Sequence, residues 1–182
     1  MNLKLLFFLI LLFSINGYGQ SSPGQYKNQD TSWTRYETMN YSISYPGNWR
    51  LDTSHMMGSD FFIFSKKEDS SDIFMENVNL MSYDLQGQTI TLDSFVHTSE
   101  KQISTMANDF TMLQSARLQG RGGIFHKLDF TARQGIYLLR FIQYYFLSKG
   151  KCYTLTFTIE QGRYAKYAGT AQKLMDSFRF TE

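Results

Sequence analysis

Three histidines, one cysteine and a scatter of carboxylates carry whatever catalytic or metal-binding chemistry this chain has, and their spacing favours neither. His55-Met56-Met57 is the most suggestive group, because imidazole with thioethers suits copper(I). Neighbours in one loop seldom converge on one ion, however, and no second Met/His cluster supports them. His97 and His126 fall on a predicted helix and a predicted strand, outside HExxH or any Cys/His array, and read as structural. Serines are many, but no G-x-S-x-G elbow occurs. Asp60, Asp69, Asp72 and Asp129 lie in predicted loops or strands at no spacing that implies an acid/base pair. Gly120-Arg121-Gly122-Gly123 lacks the Lys-Ser/Thr of a phosphate-binding loop and opens no helix, so it reads as a hairpin turn. Cys152 is the only cysteine, which forbids an intrachain disulfide and suits a small residue inside a strand. No catalytic residue, metal ligand or cofactor is predicted.

The remaining site candidate is one face of a long hairpin over residues 136–159. Aromatic and β-branched residues dominate there, and Lys149-Gly150 supplies the turn. A two-residue loop pairs Ser148 with Lys151, Phe146 with Tyr153, Tyr144 with Leu155 and Ile142 with Phe157. Alternation then gathers Ile142, Tyr144, Phe146, Tyr153, Leu155, Phe157 and Ile159 on one apolar face. Gln143, Tyr145, Thr154 and Thr156 fall on the other, mixed face. They form a polar-aromatic binding surface for a protein or small ligand unless a helix covers them. A charge at Phe157 is expected to be far worse than one at Thr156.

The elements that must position such a site follow from local pattern. Tyr41, Ile43 and Tyr45 alternate with serines, predicting a half-buried strand before the turn Pro46-Gly47-Asn48. Strands are predicted over 61–64, 74–83, 110–118 and 124–132. Thr91 is placed to cap a helix over 91–107, whose stripe Leu92, Phe95, Val96, Ile103 and Met106 recurs at helical spacing. A terminal helix is predicted over 163–175, with Ser177-Phe178-Arg179-Phe180 docking the chain end.

Ahead of these elements, Lys4, the apolar run 5–13 and Gly17-Tyr18-Gly19 have the layout of a signal peptide, predicting cleavage before Gln20 and a polar leader to residue 32. The apolar run is shorter than the about 20 residues that span a bilayer. The chain has 182 residues, 42% hydrophobic and 19% charged, at net charge +2. Loss of residues 1–19 removes one charge, Lys4, and leaves +1. Without a basic run, nucleic acid is not an expected partner. About 160 residues suffice for one domain with a real core.

The order of pieces resembles the PsbP-like superfamily. Tyr41-x-Ile43-x-Tyr45-Pro46-x-x-Trp49 opens the domain, and Val78 to Leu80 precedes a helix begun by Thr91-Leu92-Asp93. The aromatic hairpin follows, and then a helix ending Asp176-Ser177-Phe178-x-Phe180. The likeness runs from Tyr36 to Thr181. This superfamily includes the photosystem II extrinsic subunit, a Ran-binding nuclear import factor and many exported bacterial proteins. It implies an α+β fold, one antiparallel sheet with helices on both faces as an α/β/α sandwich, in a single domain over 33–182. It also implies accessory or binding roles, and no functional residue carries over. The expectation is therefore an exported, non-catalytic binding module of the cell envelope, periplasmic or secreted. The alternatives are a small hydrolase-like envelope enzyme and a copper chaperone using His55, Met56 and Met57. A concave pocket with convergent titratable groups would favour the enzyme.

Overall fold

Lys149 and Gly150 both take positive φ, 47° and 73°. This is the primed turn whose twist matches that of the flanking strands. The pairs Ser148 with Lys151, Phe146 with Tyr153, Tyr144 with Leu155 and Ile142 with Phe157 form as the alternation requires. The computed structural model describes residues 32–70 and 72–181. The predicted signal peptide and nearly all of the leader lie outside them.

Among the described residues ten strands and two α-helices form, joined by two short 3₁₀ turns. In chain order they are β1 (Trp33–Glu37), β2 (Tyr41–Pro46), β3 (Arg50–Asp52), β4 (Phe61–Phe64), β5 (Asn77–Asp84), α1 (Leu92–Met106), β6 (Asn108–Gly120), β7 (Gly123–Gln134), β8 (Tyr137–Ser148), β9 (Lys151–Glu160), α2 (Tyr164–Asp176) and β10 (Arg179–Phe180). The main sheet runs β3-β4-β5-β9-β8-β7-β6, so the hairpin β8–β9 lies in its interior. Every pairing in it is antiparallel.

One face of this sheet carries the predicted apolar set, which packs under Ala171, Leu174 and Met175 of α2 and under Ile43 and Tyr45 of β2. On the other face Leu92, Phe95 and Val96 of α1 pack on Leu128, Phe130, Leu139, Phe141 and Tyr145. Helices thus cover both faces, as expected, in a single α+β domain. Thr91 caps α1, its hydroxyl accepting from the Ser94 amide while the Ser94 hydroxyl accepts from the Thr91 amide.

Three expectations need correction. A second sheet, β1-β2-β10, lies beside α2, so β2 is buried on both faces and even Ser42 is covered. β5 starts at Asn77, because Phe74 leaves the strand and packs against Tyr137 at 5.6 Å. Met106 is 42% exposed, although Ile103 and Ala107 near it still pack against the core under α1. No described helix is long and apolar enough to cross a membrane.

Candidate functional site

The four residues singled out on the mixed hairpin face are internal. Gln143, Tyr145, Thr154 and Thr156 are 6%, 2%, 8% and 2% exposed. The Tyr145 hydroxyl donates to Gln143 Oε1, and Gln143 Nε2 donates to Thr156 Oγ1 at 3.3 Å. Phe95 of α1 meets Tyr145 edge-on at 5.3 Å. Burial pushes the Tyr145 phenol well above its ordinary pKa, so it stays a neutral donor. The expected open surface is a covered polar lane, because α1 packs onto that side of the sheet. The lane continues into β5 and the end of β9, where Asn79 Oδ1 and Thr158 Oγ1 are buried without a hydrogen-bond partner among the described residues. Thr156 being as buried as Phe157, a charge there is no milder.

The larger concavity opens on the opposite face, at the end of the sheet that α2 does not reach. α2 packs chiefly on β9 and β2, so the near face of β6 and β7 lies recessed beside it, with Phe125 still buried and the Lys127 side chain 14% exposed. Register brings Leu118 opposite Phe125, Ala116 opposite Lys127, and Lys127 opposite Tyr144, so these side chains share that face. The resulting cleft, about 690 Å³, has an aromatic floor of Phe125, Tyr144, Phe146 and Phe178. Phe125 and Tyr144 are 4.3 Å apart between ring centres. Trp33 of β1 and Ser44 of β2 close one side, and Gln172, Lys173 and Asp176 of α2 form the wall. The turn Gly120-Arg121-Gly122 forms the lip. A Cβ at Gly122 would lie 3.0 Å from the Phe178 carbonyl oxygen and 3.3 Å from the Phe146 ring, so the lip seats closely only with glycine.

The cleft's polar groups are unevenly committed. Asp176 accepts from the Tyr144 hydroxyl at 3.0 Å and from Gln172 Nε2 at 2.7 Å. Burial, and then the Asp176 charge, push the Tyr144 phenol upward, which keeps it protonated as that donor. Lys173 Nζ sits 4.0 Å from the Trp33 ring centre. Lys127 Nζ is 3.9 Å from Asp129, but Asp129 already holds Arg140 through two bonds of 2.8 Å. Arg121 is exposed and makes no ion pair among the described residues. Three cations therefore face one carboxylate whose oxygens are taken by neutral donors. Sequence reading missed this site because its residues come from five separate stretches of the chain, at 33, 44, 118–127, 144–146 and 172–178.

The remaining candidates are dispersed. The Met56–Gly58 segment is a 3₁₀ turn entered through His55 at φ 58°, with Met57 at φ 55° inside it. His55 Nδ1 is 3.1 Å from the Ser59 carbonyl, to which it donates. The described residues contain no cluster of three or more His, Cys, Asp or Glu fit to hold a metal. His97 is exposed on α1. His126 Nε2 lies 2.9 Å from Ser115 Oγ, and that hydroxyl donates to Glu100 Oε1 at 2.6 Å. This order is unlike a nucleophile triad, since the serine proton points at a carboxylate and not at the imidazole. Burial lowers the pKa of His126. Asp72 joins Glu68 and Glu76 around Arg163 at 2.8, 2.9 and 3.0 Å, beside a second hollow of about 300 Å³ that Asp69 also lines. Asp60 accepts from Ser82 Oγ at 3.0 Å.

No protein-family model matches the chain, and no curated protein matches it by sequence. Solved structures do. The cyanobacterial PsbP protein CyanoP of Synechocystis sp. PCC 6803 superposes at TM-score 0.61 and 15% identity, over 88% of this chain and 98% of that one. LpqN of Mycobacterium tuberculosis, involved in cell envelope biogenesis, gives 0.58 and 12% over 82% and 86%. The Ran-binding protein Mog1p of Saccharomyces cerevisiae gives 0.54 and 9% over 82% and 95%. At such identities the likeness is one of fold, and the fold of this chain is PsbP-like.

Proposed function

We propose that the protein is an exported, non-catalytic accessory module of the cell envelope, and that it holds a protein or small ligand in the cleft between α2 and the β6–β7 hairpin. One observation carries this reading: a concavity of about 690 Å³ over buried aromatic rings beside three cations, two of them with no carboxylate partner among the described residues and the third, Lys127, only 3.9 Å from an Asp129 that Arg140 already holds. An apolar concavity with a few convergent polar groups is the usual form of a binding site. The N-terminal signal-peptide pattern supports export. LpqN, of the same fold, is an envelope biogenesis protein, and Mog1p binds Ran.

The test is a comparison of captures from an envelope extract. Wild type is expected to retain a component that the double variant Arg121→Glu, Lys173→Glu loses, at equal thermal stability. Equal capture by both would move the function away from the cleft. The bond between Tyr144 and Asp176 inside a concavity supports a second reading as a hydrolase-like enzyme. Asp176→Asn decides it: turnover of ester or amide substrates by wild type, lost in the variant, would replace the binding reading.

A further inference from the structure

β6 is the long outer edge of the main sheet, bonded only to β7. Along its outer side, alternate residues present amide and carbonyl groups with no strand to meet them. Its first half is guarded. Register shifts fall between Asn108 and Thr111 and between Met112 and Gln114, and Asp109 takes φ 51°. From Gln114 to Gly120 the pairing with β7 is unbroken. That half has no proline and no lysine, and its one charge, Arg117, is turned to the α1 side, where Asp93 holds it at 2.9 Å. The opposite edge, β3, has three residues and is too short to template a strand.

The unguarded half borders the cleft. Leu118, Gln119 and Gly120 line it, and Leu118 is 39% exposed. On the cleft face β6 offers Ala116, Leu118 and Gly120, which are small or apolar. A strand added outside them would sit about 4.8 Å away and turn every second side chain to that face. The cations on that face are Arg121 and Lys173, with no ion pair among the described residues, and Lys127, 3.9 Å from an Asp129 that Arg140 also holds.

We infer that the cleft's occupant is an extended acidic segment of a partner protein, which adds as a strand to Gln114–Gly120 of β6 and directs alternate carboxylates at Arg121, Lys127 and Lys173. The inference rests on the cleft being the binding site. Charge selects this occupant over a second copy of the chain, because β6-to-β6 pairing would bring two cationic clefts together.

The probe is a fluorescein-labelled peptide of about twelve residues, alternating glutamate with valine, offered to the full chain. It is expected to bind and to slow amide exchange at Gln114–Gly120. N-methylation along one edge of the peptide should weaken binding about tenfold or more, while methylation along the other edge leaves it unchanged. Arg121→Glu with Lys173→Glu should abolish binding, and a lysine-for-glutamate peptide should not bind. Equal binding by both methylated forms overturns strand addition. If no peptide binds but indole-3-acetate still perturbs Trp33, strand addition fails and the cleft reading stands. If neither binds, both fail. Dimerisation of the chain through β6 without peptide would make a second copy the occupant and overturn the proposal.

Discussion

Replacing Arg163 with methionine removes the one cation within ion-pair distance of Glu76 among the described residues. Glu76 is fully buried, and its other oxygen accepts from Ser65 Oγ at 2.9 Å. Asp72, whose side chain is 5% exposed, loses the same guanidinium at 2.8 Å. Breaking a buried pair from one side costs about 3–5 kcal/mol. The solvent-exposed Glu68 arm is screened and adds little. With a urea slope of about 2 kcal/mol per molar, the unfolding midpoint should fall by about 2 M. Burial already raises the Glu76 pKa and Arg163 opposes that rise, so the variant raises it further. A carboxyl with a raised folded pKa favours folding below its unfolded value and loses that contribution as pH rises through the folded one. The deficit of Arg163→Met should therefore shrink when the pH is lowered from 7 toward 5. Adding Glu76→Gln should recover about half of it, with Asp72 still unpaired. A cost under about 1 kcal/mol, or no recovery in the double variant, would refute the reasoning.

Other outcomes follow from single contacts. Thr156→Val leaves Gln143 Nε2 without its acceptor and should cost about 1–2 kcal/mol, whereas Thr158→Val removes a hydroxyl with no partner and should be near neutral by urea melts. Burial pushes the Cys152 thiol up to about 12, so an aromatic disulfide reagent should label it only as fast as the protein unfolds. Hydrogen bonds from Lys166 and Tyr167 hold Glu68 down at about 2. Its contribution is present above the ordinary carboxylate value, about 4.5, and is lost as pH falls toward about 2, so Glu68→Gln should flatten acid unfolding across that window. The proposed export makes a further prediction: N-terminal sequencing of the mature protein recovered from its native host should begin at Gln20.

How legible this molecule was depends on whether its information is local. The β8–β9 register was readable because one slip would set threonines beside phenylalanines along the whole hairpin. Thr91 was readable as a cap because capping needs only the next three residues. The burial of Gln143 and Thr156 was not, because hydroxyls and amides on a strand look alike whether water or α1 faces them. The second sheet was hidden by the brevity of β10, two residues that become a strand only by pairing with Ser42 and Tyr41. The Arg163 cluster joins a charged loop to the start of a helix about ninety residues later, a convergence that no spacing encodes. The cleft was hidden likewise, since Trp33, Phe125, Tyr144 and Lys173 share no local pattern.

The most direct test of the cleft as the working surface is site-specific photocrosslinking in the native envelope. A benzophenone side chain at Leu118 faces the cleft, and one at His97 lies on the exposed side of α1. A discrete adduct is expected from position 118 that disappears with Arg121→Glu and Lys173→Glu, and none from position 97. An adduct from position 97 alone would contradict it.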